Sequence, residues 1–306
     1  MSRADLVIKQ KKKDKLRNLQ GFLFAFPPVF RFLIFGFIPL LLGLAMAFFS
    51  MKYTFSLFDE SVFFCGFDNF VEVLKDPIFY KSILNTLLLA LSWPISMIIA
   101  LIVSIFLTKK VRGKGFFRVV YFLPFVCSVV ATTLMWKVLL DYNYGVVNNL
   151  TEWMFNKRIN WAGDPKYYMF GLIIMTVWSS TGYKIILLTA ALTNVRKAYY
   201  EAAELDGANG FQKIWYITMP AISPTVFYLF VTGMINVLQE FARSQVWSST
   251  GGPNNSGLTI VFYLYREAFN YINMGKASAV AWLLSIAIIL ITIVNFAASK
   301  KWVKYD

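Results

Sequence analysis

Six long apolar runs divide the chain: Gly21–Phe49, Ser82–Thr108, Phe117–Leu140, Met169–Leu192, Pro224–Trp247 and Ala277–Ala298. Apolar stretches of about 20 residues cross a bilayer as helices, because a backbone surrounded by lipid must satisfy its own hydrogen bonds. The pattern therefore predicts an all-α membrane protein with six transmembrane helices over residues 21–299. A basic segment (1–20) precedes them and a short tail (300–306) follows. The first run contains Ala45–Ala47 after a basic stretch, which in outline resembles a cleaved signal peptide. Its apolar region is too long for that and Arg31 interrupts it, so it reads as a retained span.

The connection between the fourth and fifth runs has a different pattern. Asn194 can cap a helix, and Val195, Ala198, Tyr199, Ala202 and Leu205 recur at helical spacing on one face. Glu201, Glu204 and Asp206 lie off that face, and Gly207 is a natural helix stop. A second amphipathic run follows with Phe211, Ile214, Trp215 and Ile217, closed by Pro220. A helix resting on the membrane surface fits this pattern, and so does a closely fitted protein contact, to which the small alanines beside two acids point.

The fifth run is unusually polar. Thr232, Asn236, Gln239 and Arg243 fall at i, i+4, i+7 and i+11 on one helical face, with Glu240 adjacent. A charged side chain in mid-membrane costs roughly 2.5–3.5 kcal/mol, so such residues face a cavity or a partner helix. Hydrogen-bonding groups among aromatics suit a sugar; the same groups would also serve as glue against a second membrane subunit. Lys137, Lys184 and Arg31 read as span-end residues that snorkel to the interface.

Composition narrows the class. Hydrophobic residues make up 58% and charged residues 15%, too apolar for one water-soluble core. The net charge of +14 could suggest nucleic acid, but its placement argues otherwise. The N-terminus, the second and fourth connections and the C-terminus together hold seventeen Lys and Arg, against eight in the remaining connections. By the positive-inside rule both termini are cytoplasmic, and no nucleic-acid partner is expected. The chain has no histidine, which excludes Ser-His-Asp and Cys-His catalysis and His-based zinc sites. Its two cysteines, Cys65 and Cys127, do not suggest a disulfide framework. The predicted spans lack paired acids for embedded catalysis. The stretch NMGKAS departs from a phosphate-binding loop, with Asn270 at the first glycine position and Ala277 at the last, so ATP binding by this chain is not expected. A secondary carrier or channel remains the alternative, although no inverted repeat is visible.

The stretch EAAELDGANGFQKIWYITMP resembles the EAA loop of permease subunits of bacterial ABC importers. Glu201, Ala202, Ala203, Gly207, Ile217 and Pro220 fit that family's spacing, with Asp206 and Ala208 flanking the glycine. GFDNFVEVLKDPIFYKSILNTL, RGKGFFRVVYFLPFV and TGGPNNSGLTIVFYLYREAF resemble the carbohydrate-uptake branch, akin to maltose-type membrane subunits. The resemblance covers most of the chain. It implies a type I importer permease fold in the bacterial cytoplasmic membrane, forming half of a translocation pore for a sugar. It implies as partners a second homologous permease, two copies of an ABC ATPase that bind ATP and Mg, and an extracytoplasmic solute-binding protein. The loop would dock in the ATPase as a coupling helix. Asn236, Gln239 and Tyr183 would contact sugar, and Thr232 takes the place of a serine; Ser179 and Ser180 are weaker candidates. Glu240 and Arg243 have no counterpart and would pair with each other or gate the outer mouth. Unlike the maltose-type subunit, this chain has no room for a large outer domain in its first outer connection, residues 50–81.

Overall fold

The computed structural model describes residues 3–56, 58–108 and 113–304. Lys109, Lys110 and Arg112 of the basic second connection lie outside the described residues. Helix α1 (Arg3–Phe32) passes through a π-helical turn (Leu33–Phe37) into α2 (Ile38–Met46). Two short strands, β1 (Phe49–Ser50) and β2 (Phe63–Phe64), pair antiparallel with Phe49 opposite Phe64, a small β element in a chain predicted to be all-helical. Helices α3 (Asp68–Lys75), α4 (Pro77–Ala90), α5 (Ser92–Thr108), α6 (Lys114–Val126), α7 (Val129–Leu139), α8 (Val146–Phe155) and α9 (Pro165–Asn194) follow. Then α10 (Lys197–Leu205) and α11 (Gly210–Lys213) lead through a second π-helical turn (Ile214–Thr218) into α12 (Met219–Leu238). Helices α13 (Ala242–Trp247), α14 (Ile260–Tyr265) and α15 (Met274–Ser299) complete the order.

Among the described residues, five stretches are long and apolar enough to cross a bilayer: Gln20–Met46, Pro77–Thr108, Pro165–Asn194, Gly210–Leu238 and Met274–Ser299. A sixth results if Gly115–Val126 and Val129–Leu139, bent by 101°, form one broken span. This bend interrupts the third predicted run. Pro124 removes a backbone donor near the end of α6, and Cys127 and Ser128 are extended. The fifth predicted run is displaced. Its helix runs over Gly210–Leu238, breaks at Gln239–Phe241 and resumes as α13.

Between apolar helices in lipid, close packing and interhelical hydrogen bonds replace the hydrophobic drive. Met97, Ala100 and Leu107 of α5 pack on Ile185, Leu188 and Leu192 of α9 and on Ile222 and Leu229 of α12. Ser104 Oγ donates to the Ile185 carbonyl at 3.1 Å, and Trp93 Nε1 to the Leu229 carbonyl at 3.1 Å. Helix α6 crosses α9 so closely that a Cβ on Gly182 would stand 1.8 Å from the Tyr121 carbonyl oxygen. Only glycine permits that crossing.

At the end of the bundle opposite α10, side chains fasten the connections. Asn85 Nδ2 donates to the carbonyls of Asn255 and Leu258, and Thr86 Oγ1 accepts from the Ile260 N–H. The Gly/Pro/Asn turn cluster Thr250–Gly257 is thus held against α4. Arg266 and Lys276, counted from sequence among outer-connection charges, are both buried. Lys276 Nζ lies 2.8 Å from Asp76 Oδ2 and 3.4 Å from Glu267 Oε1, and the Tyr263 hydroxyl donates to Asp76 at 2.7 Å. Asp76 also caps α4 by accepting from the Ile78 N–H at 2.8 Å. Burial works to raise the Asp76 carboxyl, but the hydrogen bonds from Lys276, Tyr263 and Ile78 outweigh it and hold the group below its ordinary 3.8.

Candidate functional site

The break after α12 is where the polar residues of the fifth run converge. The helix ends at Leu238, so Thr232 and Asn236 stay on α12 while Gln239 and Glu240 sit in the break and Arg243 lies in the first turn of α13. They are therefore not one continuous helical face, yet all five line one cavity of about 510 Å³. The backbone groups freed by the break find side-chain partners. Thr259 Oγ1 donates to the Glu240 carbonyl at 2.7 Å, and the Arg243 N–H donates to Glu240 Oε1 at 3.1 Å. A broken helix is tolerated at membrane depth where it lines a cavity and its backbone is re-satisfied in this way.

The α9 candidates Tyr183, Ser179 and Ser180 line the same cavity. The Tyr183 ring stacks on Phe125 of α6, with centroids 4.9 Å apart and planes 19° from parallel, and its hydroxyl lies 3.3 Å from that of Tyr228. The Thr232 hydroxyl donates to the Tyr228 carbonyl at 2.7 Å. Arg243 pairs with Glu240 and donates from Nη2 to Ser179 Oγ at 2.8 Å. Among the described residues the side-chain amides of Asn236 and Gln239 have no protein hydrogen-bond partner; both residues are exposed. The cavity thus combines free amide donors and acceptors with a stacked ring pair. Its volume falls within the roughly 300–1,000 Å³ of small-molecule sites.

Three cations read as snorkelling residues end differently. Lys137 is exposed in the last turn of α7, where a cation complements the helix dipole. Arg31 is exposed but lies well inside Gln20–Met46. Lys184 does not snorkel. It is buried between α5 and α9, lines the cavity, and donates to the hydroxyls of Ser96 and, at 3.3 Å, Ser180. Its local surroundings in sequence look like a span end; the hydroxyl that receives it lies 88 residues earlier. Trp93, Phe125 and Thr132 also join the lining without any local sequence signal.

The segment between α9 and α12 forms a projecting knob. Asn194 is the last residue of α9 and not a cap; Val195 and Arg196 are extended, and α10 starts at Lys197 without a side-chain cap. The face turned to the bundle carries Tyr200, whose hydroxyl lies 2.9 Å from Thr218 Oγ1, and half-buried Ala203. The apolar face read from the spacing points away from the bundle: Leu205 is 91% exposed and Tyr199 49%. Glu201, Ala202, Asp206 and Gly207 are exposed, and Ala208 is half-buried. Gly207 adopts φ +77°, and the Ala208 and Gly207 N–H groups donate to the Ala203 and Glu204 carbonyls at 2.9 and 3.1 Å. These two bonds form a left-handed helix cap. Asn209 and Gln212 then form a capping box that starts α11, and Lys213 reaches back to Glu204 at 2.7 Å. Pro220 does not close the second run. Ile217 and Pro220 lie inside the continuous stretch Gly210–Leu238, where the π-helical turn precedes the proline that lacks a donor. The knob therefore leads directly into the helix whose other end lines the cavity.

Residues 63–301 match the family described as binding-protein-dependent transport system inner membrane component. The chain is 32% identical over 304 residues to the probable ABC transporter permease protein YesP of Bacillus subtilis (strain 168), covering 98% of this chain and 96% of that one. It is 30% identical over 290 residues to the lactose transport system permease protein LacF of Rhizobium radiobacter, covering 93% and 95%. A solved bacterial alginate ABC transporter, in complex with an alginate pentasaccharide-bound periplasmic protein, contains a chain of similar fold. Its TM-score is 0.78 at 27% identity, with coverage of 94% of this chain and 96% of that one. Family match, near full-length relatives and shared fold agree: the chain belongs to the binding-protein-dependent transport system inner membrane components.

Proposed function

We propose that the chain forms half of the translocation pore of an ATP-driven importer of an oligosaccharide in the bacterial cytoplasmic membrane. The observation that carries this reading is the cavity at the helix break, where the free amides of Asn236 and Gln239 stand near the Phe125–Tyr183 ring stack. Sugars present hydroxyls at their rims and apolar ring faces, which amides and aromatic rings respectively match. The relatives' names support a carbohydrate: lactose for LacF, and arabinooligosaccharides for a permease of Bacillus subtilis that is 29% identical over 282 residues.

The knob is the coupling element in this reading. Glu201, Ala202, Ala203, Asp206, Gly207, Ala208, Ile217 and Pro220 form or support the surface that docks in a separate ATPase, and Leu205 is its exposed apolar tip. Closure of two ATPase copies would displace α10, and the continuous helix Gly210–Leu238 would carry the displacement to Asn236. A second homologous permease completes the pore and an extracytoplasmic binding protein delivers the solute. The positive-inside count puts both termini in the cytoplasm. In support, the Lys304 N–H donates to Ser223 Oγ at 3.0 Å, so the tail lies at the knob end of α12. ATP hydrolysis belongs to the partner, and the chain is not an enzyme.

Alanine at Asn236 and Gln239 tests the reading in the assembled, reconstituted transporter. Loss of one good neutral hydrogen bond in a dry site is worth about 1 kcal/mol, so the double variant should raise the uptake KM at least roughly tenfold with assembly intact. Unchanged uptake kinetics and substrate range would make this surface merely structural.

A further inference from the structure

The charges that line the cavity do not balance. Glu240 and Arg243 pair with each other, and their side chains are each 13% exposed. The remaining charged side chain of the lining, Lys184, is 4% exposed and is held by the neutral hydroxyls of Ser96 and Ser180. Among the described residues no carboxylate lies within ion-pairing distance of it. A buried ammonium among hydroxyls lacks the counter-charge that burial demands, and an ionisable group at membrane depth marks a pathway or a partner. Ser180 and Lys184 lie one helical turn apart on α9, with Tyr183 between them in sequence, so the cation stands beside the sugar-matching surface.

We propose that Lys184 supplies the counter-charge for an anionic group on the cargo, and that the cargo is an acidic oligosaccharide carrying a uronate carboxylate. This deepens the carbohydrate-importer reading and rests on it. A single lysine point charge matches one carboxylate. Lysine also binds phosphate as a point charge, but the bidentate fork that would add affinity for a doubly charged phosphate is not free, since Arg243 is already engaged by Glu240 and Ser179.

The test is equilibrium binding to the complete permease–ATPase complex in nanodiscs, with the solute-binding protein omitted so that its own selectivity does not enter. The probes are uronate oligosaccharides, each paired with its carboxyl-reduced neutral counterpart. The wild-type complex is expected to bind the acidic member at least about tenfold more tightly, the scale of one charge-assisted hydrogen bond. Lys184→Gln should abolish that preference, so that the two members of each pair bind alike, and Lys184→Arg should retain it. Equal binding of both members by the wild type, or a preference that survives Lys184→Gln, overturns the inference and leaves the importer reading standing. Binding of neither member, with Asn236→Ala also without effect on uptake, overturns both. The wild-type preference needs no variant, so a Lys184→Gln protein that fails to fold does not rescue the proposal.

Discussion

Gly207 shows what one residue can do in this chain. A Cβ there would meet nothing within 4 Å, so the position needs glycine for its backbone and not for space. At φ +77° a β-branched residue carries roughly 1–2 kcal/mol of strain, whereas asparagine tolerates the left-handed region. Gly207→Val should therefore raise the ATP hydrolysed per solute imported, and Gly207→Asn should leave that ratio near wild type. Equal ratios for the two variants would remove the helix cap from the coupling path. This glycine was legible in the sequence because it stands where an amphipathic run stops. Asn236 and Gln239 were legible for a related reason: amides inside an apolar run are expensive unless they face something polar. Lys184 was misread, since one cation in an apolar run resembles a span-end residue and its Ser96 partner is visible only after folding.

At the scale of the element, the sequence placed apolar runs well and breaks poorly. The predicted run Pro224–Trp247 passes over the break, and the signal for it was the dense polar cluster Asn236, Gln239, Glu240 and Arg243, which reads equally as one face of an unbroken helix. Pro220 misled in the opposite direction, because a π-helical turn absorbs it and α12 continues into the knob. The apolar face of α10 is turned outward. Spacing puts Leu205 on the apolar face of α10, and that residue is 91% exposed, open to a partner and not packed on its own chain. Full burial of a leucine is worth about 1.5–3 kcal/mol, so Leu205→Asp should weaken ATPase co-purification at least roughly tenfold. The melting temperature of the isolated subunit should not change; a lowered one would mean that Leu205 packs within its own chain.

The opposite end of the bundle responds to acid. Asp76 joins α4 to α15 through Lys276 and to α14 through Tyr263. Because its folded carboxyl is held below 3.8, its contribution is complete above pH 3.8 and is lost as pH falls through the depressed folded value. Asp76→Asn keeps a helix-capping side chain and loses the charge. The melting-temperature gap between wild type and Asp76→Asn should therefore hold above pH 3.8 and shrink below it. A gap independent of pH would show that the ion pair contributes nothing. None of this cluster was legible, since Asp76 sits in the first outer connection, about 190–200 residues before Glu267 and Lys276, and meets them only in the fold.

For the whole molecule, the proposed coupling is mechanical: force from a separate ATPase would enter at α10 and change which side of the membrane opens to the cavity. Native Cys127 lines that cavity and is exposed, which makes it a built-in reporter once Cys65 is replaced by serine. The decisive measurement is the rate at which a membrane-impermeant thiol reagent modifies Cys127 from each side of proteoliposomes holding the complete transporter, with and without a non-hydrolysable ATP analogue. Nucleotide is expected to transfer Cys127 reactivity from one side to the other. Reactivity confined to the same side, at the same rate, in both conditions would contradict it.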